Sequence, residues 1–285
     1  MSNSVRTKPP QKVKEVQSQL MHPILFQLNS FKFPAYGLMV ACGYIAAITY
    51  IFRITRKAGF RKEDISDLIF YSVVGGMTGA KLFYAATYWR EFGQTFAERV
   101  FNLLKTFQYG FVFYGGLIFG ACTFFIIAGK KKVAALKVAD LFAPALALGH
   151  AFGRIGCFMA GCCHGSPTSC SISVTFTNTA SEVAPLYLGI PLHPTQFYEA
   201  IGNLAIFLAL NNCLSRSLKN DSPPGTVMAL YAALYSLERF LIEFLRGDDR
   251  GTPHFGLSPA QLISAAVLIF AVTVLIRIKA RNTKV

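Results

Sequence analysis

Seven predominantly apolar stretches recur along the chain, at roughly 36–52, 66–88, 109–128, 136–162, 197–214, 225–245 and 257–277. A helix needs about 20 such residues to cross the hydrocarbon of a bilayer. Lipid offers no hydrogen-bonding partner, so each segment must close its backbone bonds within itself, which makes it a helix. Composition agrees: 53% of residues are hydrophobic and only 15% charged, against about 25% charged in soluble domains. A soluble globule, a disordered chain and a collagenous one are excluded. The expected fold is all-α, a polytopic membrane protein with seven transmembrane helices. Residues 1–35 read as a polar tail and pre-span segment, 36–277 as the helical domain and 278–285 as a basic tail.

Cations in the connections set the orientation. Residues 53–65, 129–137, 215–224 and the tail from Arg277 carry 15 Lys+Arg, whereas 89–108, 163–196 and 246–256 carry 5. The richer set belongs in the cytoplasm, which puts the N-terminus outside and the C-terminus inside. The 34-residue connection 163–196, without a single Lys or Arg, is the clearest translocated segment. The tail cations Arg6, Lys8, Lys12, Lys14 and Lys32 pull the other way and are outvoted. The net charge of +14 resides mostly in these flanks, with no basic domain outside the spans, so no nucleic-acid partner is expected. The first 20 residues lack an apolar core, so the first span is expected to act as its own insertion signal.

Ionisable residues inside spans are costly and mark function by default. They are Lys81, Asp140, His150, Arg154, Glu199, Glu238, Arg239 and Glu243. With the orientation above, Lys81, Arg154, Arg239, Tyr36, Tyr114 and Glu199 converge toward the outer leaflet, and Asp140 alone lies near the inner face. Simple snorkelling of long side chains is the competing explanation for Lys81 and Arg246. Tyr235, Arg239, Glu243 and Arg246 follow i, i+4, i+8, i+11, one helix face, spaced for the pairs Arg239–Glu243 and Glu243–Arg246. Two arginines against one glutamate leave a cation in want of an anion, and the planar guanidinium fork suits phosphate. In the outer leaflet the abundant anion is a phospholipid headgroup. In HPTQFYE (193–199), Pro194 suits a first helical turn with His193 at its entry, and Gln196 and Glu199 share a face.

Glycines recur four apart at Gly75/Gly79, Gly116/Gly120, Gly149/Gly153 and Gly161/Gly165, a spacing that lets helices approach closely. Of seven cysteines, Cys42, Cys122 and Cys213 sit in spans as small hydrophobes, while Cys157, Cys162, Cys163 and Cys170 crowd into GRIGCFMAGCCHGSPTSC. Extracytoplasmic disulfides Cys163–Cys170 or Cys162–Cys170 are one expectation. A metal or reactive-thiol site beside His164 is the other, although the spacing fits no zinc pattern, and no metal ligands are assigned.

These residues in this order resemble the prolipoprotein diacylglyceryl transferase family. The likeness is carried by PAYGLM, YGGLIFG, GRIGCFMAGCCHG, HPTQFYE and Y-x3-R-x3-E-x2-R, and spans about residues 21–277. The resemblance implies a bacterial inner-membrane enzyme with seven spans, an outer N-terminus and an active site toward the outer leaflet. Its partners would be the bilayer, phosphatidylglycerol and a prolipoprotein signal peptide with a lipobox cysteine, and no cofactor is implied. Carried over by position, Tyr36, Arg154, Gly165, Tyr235 and Arg239 match functional residues of the family. His193, Gln196, Tyr198, Glu199, Glu243 and Arg246 match its motif positions. The sequence departs from the family at four places: Tyr114 replaces its histidine, Lys81 an arginine, Cys157 the asparagine of Gly-Arg-x-Gly-Asn-Phe and Cys162 a glutamate. On this reading Arg154 and Arg239 hold the phosphate, Tyr235 assists, Tyr114 or His193 takes the thiol proton, and Tyr36, Lys81, Cys157, Gly165, Gln196, Glu199, Glu243 and Arg246 contact substrate. Other readings are a diverged lipid-headgroup transferase with another acceptor, a lipid or solute transporter, and a thiol or metal protein built on 157–170. The transporter lacks the internal repeat that such folds carry.

Overall fold

The computed structural model describes residues 23–28, 31–106, 109–220, 222–248 and 256–282. Most of the anticipated N-terminal tail (1–22) and the end of the basic tail (283–285) lie outside the described residues. Among the described residues, eight α-helices dominate: α1 Ala35–Lys57, α2 Lys62–Thr87, α3 Phe96–Lys105, α4 Phe113–Lys130, α5 Ala135–Ala160, α6 Thr195–Lys219, α7 Thr226–Ile242 and α8 Pro259–Asn282. Among the described residues, six helices are long and apolar enough to cross a membrane: α1, α2, α4, α5, α6 and α8. The segment expected as a span at 225–245 is the 17-residue α7, continued by a 3₁₀ turn over Glu243–Leu245. Large apolar side chains stand on helix exteriors, among them Ile45, Phe70, Ile269 and Phe270 at 61–70% exposure, which is the surface a multi-pass membrane protein presents to lipid.

The fold is mostly helical but carries β-structure that helical periodicity did not announce. Strands β1 (Ile24–Leu28) and β2 (Phe31–Pro34) form an antiparallel hairpin with Gln27 opposite Lys32, directly before α1. Strands β3 (Val174–Thr175) and β4 (Pro191–Leu192) pair within the long connection 163–196. That connection also builds a small core in which Phe176 and Leu192, both 0% exposed, pack with Phe158, Val174 and Val183. Helix α3 is the other unforeseen element. Its start is fixed by a capping box: Thr95 Oγ1 accepts from the Glu98 amide, and Glu98 Oε2 accepts from the amides of Thr95 and Gln94. Those amides hold the Glu98 carboxyl below its usual range.

Two compact units divide the chain. The first runs to Ile51 and resumes at Asp140, and the second is Phe52–Ala139. In the second, α2 and α4 approach as the glycine spacing predicts. A Cβ on Gly79 would lie 2.6 Å from the Gly115 carbonyl oxygen and 2.3 Å from Phe119 Cβ, so only glycine permits the contact. In the first unit α7 packs against both α6 and α8. Its N-terminus is capped at a distance in sequence, since Asp140 accepts from the Gly225 and Met228 amides at 2.8 Å each. Asp140 therefore serves as a helix cap, with the carboxylate on the positive end of the dipole.

The last glycine pair is not a helix-packing motif. Gly161 adopts φ +83° and ends α5, with its own amide and that of Cys162 both donating to the Cys157 carbonyl. Gly165 lies beyond the helix where three segments cross. A Cβ there would fall 2.5 Å from His193 Cβ and 2.7 Å from the carbonyl oxygens of both His193 and Leu245.

Candidate functional site

That crossing supports a group of buried charges in the first unit. The Gly165 amide donates to the His193 carbonyl at 2.9 Å, the His193 amide to Ser166 at 3.0 Å, and the Ser166 amide to Leu245 at 2.9 Å. Gly165 also forms an antiparallel bridge with Arg246. From α6, Thr195 Oγ1 donates to the Cys163 carbonyl at 2.8 Å and Gln196 Nε2 to the Cys162 carbonyl at 2.7 Å. The HPTQ segment thus clamps the turn after α5 to the start of α6. Helix α6 begins at Thr195, one residue after Pro194.

Within this frame the carboxylate of Glu199, 1% exposed, bridges two arginines. It receives Arg154 Nη2 at 2.7 Å and Arg246 Nη1 at 2.9 Å. Arg246, 2% exposed, also grips Asp248 through Nε and Nη2, each at 2.8 Å. On α7, Arg239 Nη1 pairs with Glu243 at 2.6 Å, whose other oxygen accepts from Ser258 Oγ at 2.7 Å. Tyr235 hydrogen-bonds Arg154 and lies within electrostatic reach of Arg239. Its ring sits 5.0 Å from that of His150, whose Nδ1 is 3.0 Å from the Tyr231 hydroxyl.

The structure corrects two expectations about charge. Glu243 and Arg246 do not pair, because α7 gives way to a 3₁₀ turn at Glu243 and Arg246 adopts extended backbone, leaving the helical face. Nor is Arg246 the spare cation, since it meets two carboxylates. A guanidinium carries five N–H donors in a rigid fork. Arg246 commits Nε, Nη1 and Nη2 to carboxylates, whereas Arg154 gives Nη2 to Glu199 and turns to Tyr235. At 20% side-chain exposure Arg154 is the more open of the two.

The other expected site residues fall as follows. The Tyr36 ring lies against Gly156, 3.2 Å from where a Cβ would be. The buried Nδ1 of His193 meets no hydrogen-bond partner among the described residues. Gln196 is fully buried and holds the turn through its amide, and Gly165 provides the crossing. Lys81 and Tyr114 belong to the second unit. Lys81 Nζ donates to Thr106 O, Thr106 Oγ1 and Tyr109 O at 2.5, 2.8 and 2.8 Å, so all three ammonium donors secure a connection. Tyr114 stands in the first turn of α4, 44% exposed.

All seven cysteines are free thiols, so neither anticipated bridge to Cys170 forms, and Cys170 stands exposed. The Sγ atoms of Cys157, Cys162 and Cys163 instead lie within 4.8 Å of one another. The Cys163 thiol is held below the usual thiol range by hydrogen bonds from Cys157 and Cys162, with Arg246 and Arg154 adding to the effect.

Glu238, an ionisable residue in a span with no expected role, lies beside this group. It accepts from Asn203 Nδ2 at 3.1 Å and is within reach of Glu199, Arg154 and Arg239. Asn203 also donates to the Glu199 carbonyl at 2.8 Å. Asp248 gave no signal, because a carboxylate two residues past Arg246 in RGDD reads as a solvated loop. Buried guanidiniums with N–H donors not committed to carboxylates can bind an anion and stabilise charge that develops on it.

Residues 23–277 match the family described as prolipoprotein diacylglyceryl transferase. The phosphatidylglycerol–prolipoprotein diacylglyceryl transferase of Clostridium tetani is 39% identical over 258 residues, 89% of this chain and 96% of that protein. The protein named phosphatidylglycerol–prolipoprotein diacylglyceryl transferase 2 of Clostridium perfringens is 36% identical over 249 residues, 87% and 92% of the two chains. That of Staphylococcus aureus strain JH9 is 30% identical over 255 residues, 89% and 88%.

Proposed function

The chain belongs to the prolipoprotein diacylglyceryl transferase family, and from that premise we propose that it moves the diacylglyceryl group of phosphatidylglycerol onto the thiol of a lipobox cysteine in a prolipoprotein. The cysteine sulfur attacks the glyceryl carbon next to the phosphate, a C–S bond forms as the C–O bond breaks, and glycerol phosphate leaves. The observation that carries this reading is Arg154, a guanidinium mostly withdrawn from solvent that shares one carboxylate with Arg246 and keeps donors for another anion. Arg154 and Arg239 are the residues proposed to receive the phosphate and the charge that grows on it as the bond breaks. Tyr235, in reach of both, orients them. The role proposed for Glu199 and Arg246 is to hold Arg154 in place.

The test is direct. Purified full-length protein, given phosphatidylglycerol vesicles and a peptide with a lipobox cysteine, is expected to add one diacylglyceryl mass to the peptide thiol and release glycerol phosphate. Lipid consumption without a modified thiol would assign another acceptor, and no turnover would defeat the proposal. The same assay on Tyr114→Phe and His193→Gln identifies the proton acceptor as the one whose loss removes transfer.

The proposed setting is the bacterial inner membrane, with seven spans, an outer N-terminus and the 163–196 connection outside. Its support is the asymmetry of loop cations. With the exposed Cys122 and Cys170 replaced by serine, Thr179→Cys is expected to react with an impermeant maleimide in intact cells and Lys130→Cys only after lysis. The opposite labelling pattern would invert the topology.

A further inference from the structure

We propose that Cys157, Cys162 and Cys163 form a binding site for a thiophilic closed-shell cation, with Zn2+ the expected occupant. The site shares Cys157 with the residues expected to contact substrate, but it is argued from the thiol geometry alone and its test does not depend on transfer. The sequence offered a metal here only as one of two readings, because C-x4-C-C matches no familiar zinc pattern. Folding brings the three thiols together by reversing the chain. Cys157 lies in the last turn of α5, Gly161 ends the helix at φ +83°, and Cys163 follows at φ +63°. A non-glycine residue rarely adopts that left-handed conformation, and one that does is held there by its surroundings. Here the Cys162 and Cys163 carbonyls are fixed from α6 by Gln196 and Thr195. The reversed turn points two thiols back at the third, and all three Sγ atoms fall within 4.8 Å of one another.

That spacing is compatible with a shared metal ion. Zn–S bonds of about 2.3 Å in a tetrahedral site place the sulfurs about 3.8 Å apart. Thiolates select Zn2+ or Cu+ over Mg2+ and Ca2+, which prefer oxygen. The charge balance is favourable as well. Three thiolates around a divalent cation leave one negative charge, and Arg154 and Arg246 are within electrostatic reach of Cys163. Cys162 and Cys163 also line a cleft of about 580 Å3 with His164, Glu182 and Asp248, so a fourth coordination position can open toward it. The His164 Nδ1 faces the Gly165 carbonyl at 3.0 Å, an acceptor only, so the neutral ring keeps its lone pair on Nε2.

The experiment uses the full-length chain in detergent under reductant, with Co2+ and Zn2+ as probes. A sulfur-to-cobalt charge-transfer band that saturates with a single ion per chain and is displaced by Zn2+ is the expected result. Elemental analysis of the protein as purified distinguishes Zn2+ from Cu+. Cys157→Ser, Cys162→Ser and Cys163→Ser should each weaken binding by at least about tenfold, while Cys170→Ser and Cys213→Ser leave it unchanged. Should one serine variant fail to accumulate, the titration of the unmodified protein still decides the matter. Absence of the band there, a band that survives the triple serine variant, or a band that depends on Cys170 would each overturn the site.

Discussion

Arg154→Lys and Arg239→Lys are each expected to slow diacylglyceryl transfer by about a hundredfold or more, which corresponds to roughly 3–4 kcal/mol of transition-state stabilisation. Lysine keeps the charge but replaces a planar fork by a single ammonium, so two-point contact with a phosphate is lost even where attraction persists. Neither change should prevent insertion of the protein, because each lysine can still reach its carboxylate, Glu199 or Glu243. Arg246→Lys should behave differently. Arg246 spends its fork on Glu199 and Asp248, so its loss should lower stability more than turnover per folded molecule. Rates with phosphatidylglycerol vesicles and a lipobox peptide, normalised to folded protein, separate the two cases. Near-normal turnover in both Arg154→Lys and Arg239→Lys would reduce those arginines to structural ion-pair partners.

Much of the fold was legible because lipid simplifies the reading. Each of the seven apolar stretches contains a helix, six of them long and apolar enough to cross a membrane, and the glycines at 75 and 79 mark a close contact that a Cβ would block. What stayed hidden depends on contacts distant in sequence or too short to show a period. The hairpin before α1 has one five-residue and one four-residue strand, and β3 and β4 have two residues each, lengths that leave no usable alternation. Helix α3 did carry a signal, the Thr95–Glu98 capping box, but its ten residues lie in a connection and are too few to make a span.

The site divides along the same line. Residue types within spans singled out Arg154, Arg239, Glu199 and Glu243, because unneeded charges are excluded from apolar segments. Their pairing was not legible. Helical spacing assigned Arg246 to Glu243, yet α7 stops at Ile242 and the chain turns Arg246 onto Glu199, 47 residues away. The cysteines show the converse, since an unfamiliar linear spacing became a compact trio once Gly161 reversed the chain.

Glu199→Gln is expected to be among the most destabilising single changes in the chain. Its carboxylate is 1% exposed and is shared by Arg154 and Arg246, themselves 20% and 2% exposed. Glutamine has nearly the same shape, so packing is preserved and the effect isolates charge. The decisive magnitude is desolvation. A buried ion pair contributes little net stability when formed, because taking both charges from water costs nearly what their attraction returns, but removing one partner strands the other at a cost of about 3–5 kcal/mol. Arg246 keeps Asp248, whereas Arg154 is left, among the carboxylates of the described residues, only with the longer-range attraction of Glu238, so the penalty should come mainly through Arg154. A cycle of Glu199→Gln, Arg154→Gln and the double variant, followed by thermal unfolding in detergent, tests this. The double variant should recover part of the loss, with a coupling of about 0.5–3 kcal/mol. Additive single effects would show that Glu199 acts through packing and its bond to Arg246, and that Arg154 does not depend on it.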